Sequence, residues 1–209
     1  MGMRFFGASV LRKEDPALLT GKGRYVDDVK LPGMLHAAFV RSPYAHAKIG
    51  GIDKRAALAQ PGVHAVYTLQ DLMPHLVTER LVVGLPSKSY KQDRNRPVLA
   101  NDETVHVGEA VAIVIADNRY IAEDAAALVE VDYDQLPAAS DCRDALAAGA
   151  PLVHRNAPHN LLAEFAMSYG DTDAAFAGAP HVFRESLHLH RGGSHSIECR
   201  GAVAVHDAV

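Results

Sequence analysis

At 209 residues, 48% hydrophobic and 22% charged, the chain is long enough for one domain or two small ones and has the composition of an ordinary globular protein. A formal charge of -4, with no basic block, argues against nucleic acid or an anionic membrane as partner. Cys142 and Cys199 stand in no CxxC pattern, which excludes a disulfide framework and suits a reducing compartment. No apolar segment reaches spanning length, and residues 1–15 lack the apolar run and cleavage site of an export signal, so the expected location is the cytoplasm.

Residues 1–23 carry turn signals at Asp15-Pro16, Gly21 and Gly23 with little periodicity, and read as an extended lead-in. Gly21-Lys22-Gly23 lacks both the Ser/Thr of a P-loop and the third glycine of a dinucleotide fingerprint, so it reads as a turn. Arg24-Tyr25-Val26 then reads as a short strand and Asp27-Asp28 as a turn. After the Leu31-Pro32-Gly33 turn, residues 35–41 (LHAAFVR) form a strand broken by Ser42-Pro43, and residues 48–52 form another. Asp53 caps a helix that runs to Ala59 and is stopped by Pro61-Gly62. A strand over 63–69 (VHAVYTL) and a turn of helix over 70–73 complete this part. Residues 74–100 hold Pro74, Pro86 and Pro97 beside Lys88, Lys91, Arg94 and Arg96; they read as a long surface loop, either solvated or an interface.

The rest is organised around residues 105–137. Residues 110–116 (AVAIVIA) form an unbroken apolar run of strand length, read as buried on both faces. Asp117 or Asn118 can cap the helix that follows, whose apolar face is Ile121, Ala125 and Leu128. Val129, Val131 and Tyr133 then alternate with Glu130, Asp132 and Asp134, so the period becomes two and the strand has one wet, acidic face. This strand–helix–strand unit repeats the architecture of residues 48–69 without repeating their sequence.

Beyond Pro137, residues 142–148 have helical composition, ended by Gly149-Ala150-Pro151, and PLVHRNAPHN reads as a linker. A strand over 161–169, a helix over 171–176 capped by Asp171, and an alternating strand over 181–190 follow. Gly192-Gly193 turns the chain into a strand over 197–205. An apolar sheet ending there leaves an open edge, so the chain is expected to be cut from something longer.

Twelve histidines raise the possibility of a metal site. His188 and His190 share a strand face with His195 across the turn, but zinc would want a further ligand or water, so surface residues are the expectation. Glu130, Asp132 and Asp134 recur about 6.8 Å apart along a strand, too far for one pair to share a cation unaided. Gly108-Glu109 reads as a turn whose acid is expected to make a structural salt bridge, and no Ser/His/Asp or Cys/His set is nominated by spacing. Residue chemistry alone names no active site.

The order and wording of several stretches say more. TGKGRYVDD (20–28), LPGMLHAAFVRSPYAHA (31–47), PGVHAVYTLQD (61–71), residues 107–137, GDTDAAF (170–176) and IECRGA (197–202) match in order. In them the chain resembles the N-terminal part of the molybdopterin-binding subunit of the xanthine dehydrogenase, aldehyde oxidase and carbon monoxide dehydrogenase family. The resemblance implies an α+β fold: an α/β-hammerhead domain over 1–138, a linker over 139–159, and over 160–209 the incomplete start of a molybdopterin-binding domain. It also implies a hydroxylase whose molybdenum cofactor lies in the complete subunit, with electrons leaving through Fe-S to FAD on partners. Those partners are the remainder of the molybdenum subunit, an Fe-S subunit and a FAD subunit.

The family's Gln-bearing segment, its glycine-rich Phe-Gly segment and its late Glu have no counterpart here, so no catalytic, cofactor-binding or metal residue is carried over. Gly192, Gly193, His195, Glu198 and Arg200 lie nearest the missing region and are expected to shape the junction with it. The expected function is a scaffold portion of a molybdenum hydroxylase, inactive and cofactor-free alone. The alternatives are a non-catalytic assembly module with the same fold and a histidine-based metalloprotein.

Overall fold

The computed structural model describes residues 7, 9–82, 86–92, 95–190, 192, 193, 196 and 198–206; Arg94, His195 and Ile197 lie outside them. The chain divides into two compact units, Leu35–Gly178, and Met1–Met34 with Ala179–Val209. In chain order the elements are α1 (Asp15–Leu19), β1 (His36–Arg41), β2 (Ala47–Asp53), α2 (Arg55–Leu58), β3 (Val63–Tyr67) and α3 (Leu69–Leu72). There follow β4 (Arg80–Leu81), β5 (Arg96–Pro97), β6 (Glu103–Thr104), β7 (Ala110–Ala116), α4 (Arg119–Ala127), β8 (Glu130–Gln135) and α5 (Thr172–Gly178).

Within Leu35–Gly178, β7 lies between β1 and β3, antiparallel to both. Apolar at every position, it suits the centre of a sheet: Val111, Ala112, Val114 and Ala116 have no exposed surface. A second sheet, in the order β6-β2-β8, takes β8 at its edge, with Ile52 opposite Val131 and Ile49 opposite Tyr133. The edge suits a strand with only one apolar face, and Glu130, Asp132 and Asp134 point to solvent as expected. Here the two strand–helix–strand units differ from a simple repeat. α2 carries the chain from the β2 sheet to the β3 sheet, and α4 carries it back from the β7 sheet to the β8 sheet. Each helix therefore crosses between sheets and closes the core of Val40, Ala57, Val66, Val111, Val114 and Ala125.

The cap of α4 is Asn118, whose Oδ1 accepts the Ile121 amide at 3.0 Å; Asp117 instead accepts from His64 Nε2 at 2.7 Å. Ala122 and Ala125 are the buried residues of its face, and Leu128, the C-cap, is exposed. Small residues let this helix lie close on β1 and β7. Two glycines sit at close approaches, and the first also has a left-handed backbone. Gly62 has φ +83 and an added Cβ would sit 2.9 Å from both Asp117 Oδ2 and Ile121 Cδ1; at the β2 bulge, a Cβ on Gly50 would meet Asp132 Oδ2 at 2.5 Å.

Several expected elements differ. Residues 24–26 form no strand: Val26–Asp28 is a 3-10 turn, with the Tyr25 amide donating to Asp28 Oδ2 at 2.9 Å. The strand expected over 63–69 ends at Tyr67, because Thr68 starts α3 through a capping box with Asp71. The helix after Asp53 is shorter, Arg55–Leu58, although Asp53 Oδ1 does accept the Arg55 amide at 2.9 Å. Residues 142–148 are successive turns, not a helix. Asp141 there accepts both the amide and the guanidinium of Arg143, and exposed Leu146 gives no apolar face to bury.

Residues 161–169 pair only through an isolated bridge, Tyr90 to Ala163, and residues 181–190 and 198–205 form no strand among the described residues. Their backbone finds no neighbouring strand to complete a ladder. The helix near 171–176 is present as α5, with Asp171 Oδ1 accepting the Ala174 amide at 2.9 Å. Gly21-Lys22-Gly23 forms a turn, with Lys22 N–H donating to the Ala17 carbonyl at 2.7 Å.

Candidate functional site

Of the five junction residues, Glu198 has a clear partner. Its Oε1 accepts the Val26 amide at 2.7 Å, joining the lead-in to the C-terminal segment inside one unit. Gly201 permits this approach, since a Cβ there would lie 2.9 Å from the Val26 side chain. Gly192 donates its amide to the His190 carbonyl at 2.8 Å, and Gly193 has open space around it. Arg200 is exposed and makes no hydrogen bond or ion pair among the described residues, while His195 lies outside them. The rings of His188 and His190 stand edge to face, centroids 5.2 Å apart, and no group of three or more potential metal ligands occurs among the described residues.

The polar centre of Leu35–Gly178 is elsewhere, at Glu103 in the short edge strand β6. Its Oε2 accepts from the Arg155 amide at 3.2 Å, from Arg155 Nε at 3.1 Å and from His46 Nε2 at 3.4 Å. Its Oε1 faces His154 Nδ1 at 3.7 Å, and Asp102 pairs with Arg155 at 3.5 Å. The Glu103 and His46 side chains are only 12% and 6% exposed, so these bonds replace lost hydration. Burial alone would raise the Glu103 carboxyl, but the Arg155 amide, His46 and the Arg155 guanidinium together outweigh it and leave it below its ordinary range. His46 Nδ1 lies 3.0 Å from the Pro137 carbonyl, so the ring satisfies both acceptors only when it carries both protons.

Around this centre the polar groups are structural. Ser42 Oγ and Thr104 Oγ1 bond at 3.1 Å in the interior, and Glu109 Oε2 accepts the Val105 amide at 2.6 Å and lies 3.6 Å from His106 Nδ1. Burial raises the Tyr133 hydroxyl, which has no aligned partner; the nearby Ser42 hydroxyl offsets only part of the rise.

Within the long loop over 74–100, residues 89–92 form an interface within the chain. Gln92 Nε2 donates to the His159 and Leu161 carbonyls at 2.7 and 2.8 Å, Lys91 N–H to the Leu162 carbonyl at 2.9 Å, and Glu164 N–H to the Ser89 carbonyl at 2.9 Å. Residues 151–164, which the sequence presents as a linker and the start of a strand, are thus a strap fastened at both ends. None of Glu103, His46, Arg155 or Gln92 stands out in the sequence. Their pairing spans some fifty residues or more, and the only trace is acidic Asp102-Glu103 and basic His154-Arg155 of opposite charge.

The open clefts among the described residues of this unit include two. One is lined by Gly51, Asp53, Lys54, Arg55, Glu130 and Asp132, and the other by Phe39, Arg41, Ala126, Val129, Val131 and Tyr133. In the first, Arg55 holds the Asp53 carboxyl down at about 2, so it stays ionised and paired. Neither cleft is lined by a nucleophile beside a base, and the arrangement positions chain segments.

The family model described as "Aldehyde oxidase and xanthine dehydrogenase, a/b hammerhead domain" matches residues 20–137. The chain is 39% identical over 201 residues to the nicotine 6-hydroxylase large subunit of Paenarthrobacter nicotinovorans, covering 95% of this chain and 24% of that one. It is 42% identical over 213 residues to the carbon monoxide dehydrogenase large chain of Hydrogenophaga pseudoflava, covering 94% and 25%. Quinoline 2-oxidoreductase from Pseudomonas putida 86 superposes with a TM-score of 0.71 at 40% identity, over 84% of this chain and 22% of that one. The chain thus spans about a quarter of the length of the curated relatives it matches. With the hammerhead model covering more than half of its residues, the chain belongs to the aldehyde oxidase and xanthine dehydrogenase family and corresponds to an N-terminal part of its large subunits.

Proposed function

We propose that the chain is the scaffold portion of a molybdenum hydroxylase, an oxidoreductase that hydroxylates a small organic substrate or oxidises an aldehyde or carbon monoxide. The observation that carries this reading is the alignment of nearly the whole chain with large subunits of such enzymes, at 39% and 42% identity. Relatives named for nicotine, carbon monoxide and xanthine all match, so no one substrate is preferred. The partners are the remainder of the molybdenum subunit, an Fe-S subunit and a FAD subunit.

The described residues do not fit a molybdopterin cradle. Gly192 and Gly193 are exposed, Arg200 is exposed, and the buried donors around Glu103 are already used by the chain itself. No chemical step is therefore assigned to this chain, whose share is to position the segments that hold the cofactor. In this reading Gly192, Gly193, His195, Glu198 and Arg200 shape the junction with those segments. We place the protein in the cytoplasm: both cysteines are exposed and unpaired, as a reducing compartment keeps them, and no helix among the described residues is long and apolar enough to cross a membrane.

The test is metal and flavin analysis of the native complex recovered through this chain. Molybdenum, iron and flavin should co-purify with it, while the chain alone should carry none and oxidise no substrate. A chain that alone binds molybdenum stoichiometrically and turns over substrate would overturn the proposal, as would a native complex without molybdenum or flavin.

A further inference from the structure

Residues 151–164 carry their own internal bonds. Asn160 Oδ1 accepts the Val153 amide at 2.9 Å, and its Nδ2 donates to the Pro151 and Ala145 carbonyls at 2.8 and 2.9 Å. The Ala157 amide donates to the His154 carbonyl at 3.0 Å, and Ala157 itself is buried. The two fastenings of this strap differ in kind. At residues 159–164 they are mainly backbone bonds and Gln92 amide bonds, supplemented by an exposed Lys91–Glu164 pair at 3.4 Å. At residues 154–155 Glu103 accepts the Arg155 amide and guanidinium and faces His154, with Asp102 giving a weaker, exposed contact at 3.5 Å.

We infer that Glu103 is the latch of a hinged strap: losing its negative charge frees residues 154–157 while residues 161–164 stay clamped to residues 89–92. One proton, or Glu103→Gln, turns the shared anionic acceptor of the Arg155 amide, its guanidinium and His46 into a weaker neutral one, whereas the backbone bonds at the other end carry no charge to lose. The charged and titratable groups around the latch are His46 ahead of β2, Asp102 beside it, and His154 and Arg155 on the strap. Lys48, opposite Glu103 in the β2–β6 register, is turned to Asp134 on β8 at 3.6 Å.

The sign follows from the lowered carboxyl. The latch is whole above the ordinary glutamate value of 4.5 and is lost as pH falls below it, so acid opens the strap. The latch and strap lie within Leu35–Gly178, so the inference stands apart from the proposed enzyme.

Amide hydrogen exchange on the full chain, corrected for intrinsic rates, tests it. In Glu103→Gln the Arg155 and Ala157 amides should lose protection at least about tenfold, with the Lys91 and Glu164 amides and β7 unchanged. Lowering the pH on the wild type should reproduce that polarity. Equal loss at both ends of the strap, or no loss at residues 154–157, overturns the inference. Should Glu103→Gln lose β7 protection as well, Arg155→Ala decides, since it leaves the buried carboxylate with His46. It should open the same end, by a smaller factor, and a closed strap in that variant rejects the latch.

Discussion

β7 and residues 181–190 make an instructive pair. Both are rich in branched or long apolar side chains at strand-like positions. In β7 the residues are hydrogen-bonded to β1 on one side and β3 on the other, and four of them have no exposure. In 181–190, Phe183, Leu187 and Leu189 are 86%, 94% and 94% exposed, and the segment has no strand neighbour among the described residues. An alternating or continuous apolar run states which face a strand would bury; burial itself needs neighbours with matching register. β7 receives its neighbours from residues 36–41 and 63–67 of the same chain. For 181–190, the proposed reading assigns them to the rest of the large subunit.

The largest expected effect tests the β7 side. Val114→Asp puts a carboxylate into the centre of the core with no partner, and should cost about 4 kcal/mol or more, enough to abolish cooperative unfolding followed by circular dichroism in urea. A cooperative transition within about 1 kcal/mol of wild type would mean that β7 is not the central strand. Gly62→Ala is the next largest. It combines a positive φ with contacts of 2.9 Å to Asp117 and Ile121, at the turn that delivers β3 to β7. A loss of about 1–3 kcal/mol is expected in the same experiment, and an unchanged midpoint would reject that geometry.

How much of this was legible depends on how local the instruction is. β7, the α4 cap and the acidic face of β8 are written in consecutive residues and appear where the sequence places them, although Ile113 and Ile115 leave one face of β7 only half-buried. That β7 and β8 join different sheets was not legible, because a helix of given length fits either crossing and only the partners decide. The capping box at Thr68 and Asp71 was present in the sequence, and recognising it would have ended the strand at Tyr67. The Glu103 centre was beyond sequence reasoning, since its donors come from before β2 and from a stretch that reads as a linker. The five junction residues rest on resemblance alone, and only Glu198 gains a partner from the fold.

Asp71 offers a smaller, pH-dependent test within the well-packed unit. Lys54 Nζ at 2.6 Å, with the Thr68 amide and hydroxyl, holds its carboxyl down at about 2. The ionised group therefore stabilises fully above the ordinary value of 3.8, and that contribution fades as pH falls toward about 2. Asp71→Asn should lower stability by about 1 kcal/mol at neutral pH, in the range of a helix cap. The gap should narrow in urea titrations below 3.8, and a gap that widens with acid would show that the carboxylate is not what stabilises the turn.

The smallest expected effect carries the most information about 181–190. Leu189→Asp introduces the same charge as Val114→Asp, into the other member of the pair. With 94% of the leucine exposed, no packing is lost and the new carboxylate stays hydrated, so the isolated chain should change by no more than about 0.5 kcal/mol. A loss approaching that of Val114→Asp would mean that 181–190 is buried by this chain itself, and the contrast with β7 would vanish. In the native complex the expectation reverses. If the rest of the large subunit supplies the missing strand neighbours, the aspartate enters a packed face there, and recovery of molybdenum and flavin with the chain should fall although the chain's own melting does not. Recovery that is equally unaffected would leave Leu189 without a neighbour in either setting, and the docking of 181–190 against the remainder of the subunit would be refuted.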